Sequence, residues 1–131
     1  MSEGIEIDKT VEGLDVVSFS GAGYKRLVDG PKWTLAMISY APNFDERNFT
    51  RLERHLATDE TFVLLDGEAT LAIGPDARLV PMERLKYYNV LAGTWHHVLM
   101  KPGARILIGE NSDTSRENSE YLEISKRNDS Q

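Results

Sequence analysis

Short strand-like segments follow one another along almost the whole chain, and glycine or proline interrupts them at roughly 8- to 12-residue intervals. This rhythm is typical of an all-β sandwich or barrel, and it leaves little room for helix. We therefore predict an all-β, antiparallel fold. The predicted strands are residues 15–19, 24–28, 33–40, 50–55, 61–65, 69–73, 78–80, 85–91, 95–100, 104–108 and 121–124.

The segments between these strands carry turn residues, because glycine supplies positive φ and proline presets φ. Asp66-Gly67 is the strongest hairpin signal, and residues 29–31, 74–76 and 101–103 are further turns. Helical turns are plausible only at 81–84 and within the polar stretch 112–120. For the second of these we favour a loop.

The length of 131 residues predicts one domain over residues 1–131, large enough to fold without disulfides or a structural metal. Residues 1–12 are expected to form an N-terminal arm. Residues 125–131 are polar and expected to form a frayed tail. Neither an internal repeat nor a linker between domains is present.

Charge and composition narrow the choice of partner. Fifteen Lys and Arg against 21 Asp and Glu give a net charge of −6, which argues against nucleic acid and anionic membranes. Cysteine is absent, so any metal must bind histidine and carboxylate. With no secretion signal and no membrane-length apolar run, we expect a cytoplasmic protein with a small-molecule ligand such as an acid or a sugar.

The three histidines, His55, His96 and His97, fall in two strand-like segments. Side chains alternate along a strand, so Glu53 and His55 face the same way, and His97 turns away from His96. After a short turn, Glu60 begins a segment in which Phe62 and Leu64 share its face. The pattern indicates carboxylate and imidazole groups at the open end of an apolar pocket.

The spacing from Glu53 to Gly67 is Glu-x-His-x4-Glu-x6-Gly. It resembles the first motif of the cupin superfamily, with Glu53 at the place of the usual first histidine. The segment 89–100 resembles the second motif through Gly93 and His96. It departs from that motif at Leu91, where proline is usual, and at Met100, where asparagine is usual.

The cupin resemblance implies a double-stranded β-helix, which is an antiparallel jelly-roll barrel whose mouth usually holds a divalent metal. Carried over by position, the implied metal ligands are Glu53, His55, Glu60 and His96. Imidazole and carboxylate suit Mn²⁺, Fe²⁺, Ni²⁺ and Zn²⁺ alike, so the identity of the ion stays open.

A narrower resemblance rests on Leu-Glu-Arg-His at residues 52–55 and Thr-Trp-His-His at residues 94–97. These segments look like the ureidoglycolate lyase family, which cleaves ureidoglycolate to glyoxylate and urea. The resemblance implies an enzyme of the carbon–nitrogen lyase type, acting on ureidoglycolate or on a related small hydroxy or keto acid.

Lyase chemistry needs a base for the carbinol proton and an acid for the departing nitrogen. Our hypothesis makes His96 or Glu60 the base, with His55 or a metal ion polarising the substrate. Closely spaced carboxylates repel, so the pKa of one of them is expected to rise. A substrate carboxylate would be bound by a cationic side chain, for which the candidates are Lys86, Arg54 and Arg105.

Several of these residues can also be explained by a structural role that involves no ligand or reaction. His97 is expected to be a hydrogen-bonded structural histidine. Glu53 is as well explained as a solvated strand residue as by a role as ligand. The stretch 110–113 is expected to be a turn, with a place at the pocket rim as the alternative. The aromatic set of Trp33, Tyr40, Tyr87, Tyr88 and Trp95 has two interpretations, the lining of a sugar or acid site and packing in the core or at a dimer interface, of which we expect packing.

Two other functions compete with the enzyme. The first is a non-catalytic cupin that binds a sugar, an acid or another metabolite, an alternative favoured by the departures at Glu53, Leu91 and Met100. The second is an interaction domain whose outer strands pair with another copy. A homodimer is expected under all three interpretations.

Overall fold

The computed structural model describes residues 4–112 and 118–124. Two five-stranded antiparallel sheets face each other, and a separate β-hairpin precedes them. The strands are β1 (Ile5–Asp8), β2 (Val16–Phe19), β3 (Gly23–Asp29), β4 (Trp33–Ser39), β5 (Arg51–His55), β6 (Glu60–Asp66), β7 (Ala69–Ile73), β8 (Arg78–Pro81), β9 (Tyr87–Val90), β10 (His96–Met100), β11 (Arg105–Asn111) and β12 (Ser119–Glu123). The prediction of an all-β antiparallel fold is confirmed.

Sheet order places strands distant in sequence beside one another. One sheet has the order β3-β4-β11-β6-β9 and the other β12-β5-β10-β7-β8. Among the described strands, β1 and β2 pair only with each other, so the expected N-terminal arm contains a strand. No helix within residues 4–112 and 118–124 has the length and apolar character needed to cross a bilayer.

The core forms where the inward faces of the two sheets meet. Alternate residues of β6 and β10 are buried, as the strand period of two requires. Phe62 is 2% exposed and Val98 4% exposed, and Ile106 and Ile108 of β11 pack with them in one cluster. At one end of this cluster the inward positions are polar, which creates the site described below.

Asp66-Gly67 joins the two sheets, so the prediction of a hairpin there is wrong. Strand β6 pairs with β11 and β9, whereas β7 pairs with β10 and β8. The turn chemistry was recognised correctly, because Gly67 has φ of 76°. A Cβ on Gly67 would lie 2.7 Å from the Cα of Ala104, a close approach that only glycine allows.

Replacing Gly67 by alanine should lower stability more than the same change at Gly74. Both glycines have positive φ, so both variants incur a backbone cost of about 1 kcal/mol or more. Only Gly67 adds a backbone collision, because a Cβ on Gly74 meets nothing within 4 Å. Urea unfolding of the two variants measures the difference. Equal losses of stability would contradict the role assigned to the Gly67 contact.

Two short 3₁₀ turns, Pro42–Phe44 and Glu46–Asn48, are the helical elements of the described residues. The helical turn predicted at 81–84 is absent, because Pro81 ends β8 and the chain turns at 84–85 instead. Of the predicted loop 112–120, residues 113–117 lie outside the described part of the chain. Ser119 and Glu120 belong to β12 and pair with β5.

Asp45 organises the segment that contains the two turns. Its carboxylate accepts hydrogen bonds from the Tyr40 hydroxyl at 2.7 Å, from the Arg47 backbone N–H at 3.0 Å and from the Arg47 guanidinium. The hydrogen bonds from the Arg47 side chain, the Tyr40 hydroxyl and the Arg47 N–H hold the pKa of Asp45 well below its usual range.

This pKa direction predicts a loss of stability in acid. A carboxyl group whose pKa is lower in the folded state stabilises the fold above its unfolded pKa, and that contribution disappears as the pH falls toward the folded pKa. The variant Asp45→Asn should therefore have a lower Tm than wild type near pH 7, and the difference should shrink near about pH 3. Thermal unfolding across this range tests it. Asp66→Asn, at an exposed ion pair with Arg105, is the control and should change Tm little.

Candidate functional site

A cavity of about 270 Å³ lies between the two sheets, next to the edge strands β3 and β12. Its apolar part is formed by Ile38, Phe62, Val98 and Ile108. Its polar part combines side chains from both sheets. From one sheet come Glu53, His55, His96, Ser119 and Tyr121, and from the other Tyr24, Arg26, Glu60 and Glu110.

His96 is fixed at both ring nitrogens. Its Nδ1 lies 3.0 Å from the Thr94 carbonyl oxygen, which can only accept, so Nδ1 carries a proton and donates it. Its Nε2 lies 3.0 Å from Glu60 Oε1. The ring is buried, with its edge against Phe62 at a centroid distance of 5.8 Å. Nε2 is therefore the ring nitrogen that contacts Glu60 at the cavity.

His55 approaches the same carboxylate oxygen from the neighbouring strand. Its Nε2 lies 3.1 Å from Glu60 Oε1, and its Nδ1 lies 2.8 Å from the Ser119 hydroxyl on β12. Burial alone would lower the pKa of His55, but the hydrogen bond to Glu60 and the charge of Glu60 raise it overall. The result is one carboxylate oxygen shared by two imidazoles.

The electrostatics of Glu60 follow from these contacts. Burial would raise its pKa, but hydrogen bonds from His55, His96 and Glu110 hold the pKa of Glu60 well below its usual range. Glu60 is thus a buried carboxylate, only 5% exposed, that is stabilised by donors on several sides. A buried charge of this kind is tolerated only when it is paired and hydrogen-bonded.

Glu110 borders the cavity, as the alternative prediction for residues 110–113 has it. It was expected in a turn, but β11 continues through Asn111, and Glu110 is directly paired with Glu60 on β6. Burial, followed by the hydrogen bond with Glu60 and its charge, raises the pKa of Glu110 to about 8. The sequence did contain a signal, because Glu110 continues the inward alternation of Ile106 and Ile108.

Two further residues from β3 reach the cavity. The Tyr24 hydroxyl donates to Glu110 Oε2 at 3.3 Å, and Arg26 Nη2 lies 3.6 Å from the same oxygen. Burial is the largest influence that raises the pKa of Tyr24, to about 12, so the phenol stays protonated at neutral pH.

The cationic residues predicted from sequence lie elsewhere. Arg54 binds Glu120 and lies over the Trp95 ring, with 4.3 Å from its Cζ to the ring centroid. Lys86 pairs with Glu83 and Arg105 with Asp66, each at 3.0 Å and largely exposed. Strand alternation alone could not exclude these three residues, because it does not reveal which sheet face borders the cavity.

The four predicted metal ligands lie together. Glu53, opposite His96 in the sheet, offers ligand atoms within 4.8 Å of those of His55 and His96. Glu60 contacts both imidazoles. Two imidazoles and a carboxylate form a donor set that suits several divalent transition metals, and the Nδ1–H bond of His96 to a carbonyl is typical of metal-binding histidines. The residues fit an ion, and ligation itself stays a prediction.

His97 lies on the opposite face of β10 from His96, as the alternation predicts, and it is also among the residues that line the cavity. Its ring stacks on Phe49 at a centroid distance of 5.0 Å and on Phe44 at 6.1 Å. Within the described residues its buried Nε2 has no hydrogen-bond partner, so the expected hydrogen-bonded role is wrong for that atom. Burial lowers the pKa of His97 to about 4, which keeps the ring neutral.

The aromatic residues are divided between core and surface. Tyr40 and Tyr88 pack against the core, as expected. Trp33 and Tyr87 are 54% and 78% exposed, so neither packs inside this chain. The expected dimer interface is the remaining packing role for these two residues.

The chain matches no protein-family model and no curated protein. Its backbone does superpose on solved structures. Pac13 of Streptomyces, described as a unique nucleoside dehydratase, matches with a TM-score of 0.61 and 15% identity, over 96% of this chain and 92% of that chain. A cupin-2 domain protein of Shewanella frigidimarina matches with a TM-score of 0.55 and 16% identity, over 71% and 84%. KdgF of Halomonas matches with a TM-score of 0.53 and 9% identity, over 86% and 90%.

The chain has a cupin fold. The cupin jelly roll implied by the two motifs is confirmed, including the position of both motifs on strands that border one cavity. The narrower likeness to ureidoglycolate lyases has no counterpart among these comparisons. Among the proteins that share this cupin fold, Pac13 is an enzyme.

Proposed function

We propose that this cupin is a lyase that eliminates a leaving group from a small polar molecule by paired acid and base catalysis. The observation that carries the proposal is the Glu60 carboxylate, held between the imidazoles of His55 and His96 and next to Glu110. The pKa of Glu60 is lowered and the pKa of Glu110 is raised. An ionised group and a protonated group in one enclosed site are the components of acid–base catalysis.

His96 is the proposed base. The Thr94 carbonyl holds the ring with Nδ1 protonated, so proton exchange takes place at Nε2, which donates to Glu60 in the resting site and must release that proton before it acts as a base. This atom takes the hydroxyl proton of a carbinol substrate as the carbonyl forms. The imidazolium that results donates to the Glu60 carboxylate 3.0 Å away, which stabilises the positive charge.

Glu110 is the proposed acid. Its raised pKa keeps a proton on the carboxyl group at neutral pH. As the bond between the substrate carbon and the leaving nitrogen or oxygen breaks, the electron pair goes to the leaving atom, which takes the Glu110 proton. One proton leaves the substrate hydroxyl and one is delivered, so the elimination is balanced without an external reductant or oxidant. His55 orients Glu60 and adds a donor beside the reacting oxygen.

A divalent metal fits the same site. Glu53, His55, Glu60 and His96 would hold it, and the bound ion would supply Lewis acidity toward a substrate oxygen. The acid–base roles above concern only the side chains of the protein, so metal dependence is a separate question for experiment.

Two likenesses support an elimination. The motif segments resemble ureidoglycolate lyases, and Pac13 is described as a dehydratase. Loss of urea and loss of water are both eliminations. Ureidoglycolate is therefore the first substrate to test, followed by other small α-hydroxy acids and their derivatives.

In the test, the purified 131-residue chain is incubated with ureidoglycolate, with and without Mn²⁺, Fe²⁺, Ni²⁺ or Zn²⁺, and released urea and glyoxylate are measured. We expect release that is lost in His96→Gln. The exposed variant Glu68→Gln is the control and should retain full activity. If neither ureidoglycolate nor any other α-hydroxy acid derivative is turned over under these conditions, the lyase proposal is wrong.

One observation favours a second candidate, a cupin that binds a metabolite without turning it over. The polar groups of Glu60, His55, His96 and Glu110 satisfy one another within the network, as they would in a structural cluster. This candidate predicts saturable ligand binding with no product. It also predicts that Glu60→Gln changes affinity only.

A further inference from the structure

Arg26 is the one Lys or Arg side chain among the described residues that line the cavity. It lies on the edge strand β3, two residues after Tyr24, so the two side chains share a face. A bulge follows between Arg26 and Val28, where the register with β4 shifts. Bulges at sheet edges often direct side chains into neighbouring sites.

Arg26 is connected to the reacting groups through Glu110. Its Nη2 lies 3.6 Å from Glu110 Oε2, and its Nε lies 3.4 Å from the Tyr24 hydroxyl, which itself donates to Glu110. Nη1 contacts the Ser112 carbonyl oxygen at 3.3 Å and Asp29 at 3.9 Å. Glu110 therefore lies between the Arg26 guanidinium and the Glu60 carboxylate.

We propose that Arg26, supported by Tyr24, is the specificity-determining residue of the site and binds the carboxylate of a small monocarboxylic acid. The inference rests on the proposed function and names its substrate class. A guanidinium presents parallel donors that match the two oxygens of a carboxylate. The phenol of Tyr24 stays protonated, and its single hydroxyl donor, which points to Glu110 in the free site, would turn to the ligand carboxylate.

The carboxylates around the cavity favour a ligand that carries a single negative charge. Glu53 and Glu60 border the same cavity, so a phosphate dianion would be repelled more strongly than a carboxylate. The cavity of about 270 Å³ lies at the small end of ligand sites, which favours compounds of few atoms.

The connection through Glu110 also places the reacting carbon. One carboxyl group, that of Glu110, contacts both Arg26 and Glu60. A carboxylate on Arg26 therefore brings the adjacent carbon of the ligand toward Glu60 and the imidazoles. The substrate class is an acid with its leaving group and hydroxyl on the α-carbon.

Binding is tested with three probes by calorimetry and by ¹H–¹⁵N spectra of the full chain. Glycolate carries one carboxylate, methyl glycolate is its neutral counterpart, and inorganic phosphate is more highly charged. Glycolate should bind at least about tenfold more tightly than either of the others, since a charge-assisted hydrogen bond contributes about that much. Equal affinity for glycolate and methyl glycolate, or no glycolate binding up to its solubility, overturns the proposal.

Variants of Arg26 test whether this side chain and Tyr24 form the carboxylate-binding subsite. Arg26→Gln should weaken glycolate binding by about tenfold or more, and Arg26→Lys should weaken it less, because the positive charge remains. Arg105→Gln removes an exposed arginine of the same sheet and should leave binding unchanged. Unfolding curves of each variant check the fold. Unaltered glycolate affinity in a folded Arg26→Gln protein shows that Arg26 is not the anion-binding residue.

The two proposals fail in different ways. If glycolate binds through Arg26 but no α-hydroxy acid derivative is turned over, the subsite stands and the lyase function is wrong. If a substrate is turned over and Arg26→Gln leaves its KM unchanged, the lyase function stands and the subsite is wrong.

Discussion

Replacing Glu60 by glutamine is expected to lower kcat for elimination by about 10²- to 10⁴-fold, the range typical of a lost acid–base component. Glutamine has nearly the shape of glutamate but no charge. It therefore cannot stabilise an imidazolium at His96, and it cannot accept hydrogen bonds from His55, His96 and Glu110 on equal terms. Steady-state kinetics on the substrate found in the elimination assay measures the effect.

Two controls separate this effect from a loss of fold. Glu68→Gln makes the same chemical change on an exposed side chain and should leave kcat unchanged. Urea unfolding and the far-ultraviolet circular dichroism of Glu60→Gln should show that the barrel is intact. Wild-type kcat in a folded Glu60→Gln protein would exclude Glu60 from the reaction.

Phe62→Ala is expected to cost about 3–5 kcal/mol of unfolding free energy, which is a large share of the roughly 5–15 kcal/mol of a typical domain. Phe62 is 2% exposed, belongs to the central core cluster and supports the His96 ring through an edge contact. Alanine leaves a void that the surrounding strands of two sheets cannot close. Urea unfolding monitored by circular dichroism measures the loss.

The matched aromatic control is Tyr87→Ala. Tyr87 is 78% exposed on β9, next to β6 in the same sheet, so its removal should change stability by about 0.5 kcal/mol or less. Phe62→Leu should lie between wild type and Phe62→Ala, because it retains most of the buried volume. A loss in Phe62→Ala no larger than that in Tyr87→Ala would contradict the central position of Phe62 in the core.

The fold class followed from the sequence because its causes are local. Strand alternation and turn residues act over a few positions, and they predicted most strands within a few residues. The Asp66-Gly67 turn shows the limit of that reasoning. The dipeptide fixes a local backbone shape, but whether the chain returns to the same sheet depends on strands distant in sequence, here β10 and β11.

The site was predictable where its residues lie in motifs and not where the fold alone brings them together. Glu53, His55, Glu60 and His96 have a recognisable spacing, and the structure places all four at one cavity. Arg26 and Glu110 are 84 positions apart in the sequence. They meet because β3 and β11 both pair with β4 in one sheet, so the two side chains can reach each other across β4. No spacing rule over a single sequence contains that pairing.

The placement of Glu60 and Glu110 on neighbouring inner strands has a consequence for how this protein can change over evolution. A one-residue shift of β6 would turn Glu60 and Phe62 to the opposite face, and a one-residue shift of β11 would do the same to Glu110 and Ile108. A one-residue insertion in either strand would therefore disrupt the core and the proposed reaction together. Tyr24 and Arg26 lie on β3, which has one neighbouring strand among the described residues, so a change there disturbs fewer strand pairings. Residues at the margin of the barrel can thus change the ligand while the buried pair of Glu60 and Glu110 is kept.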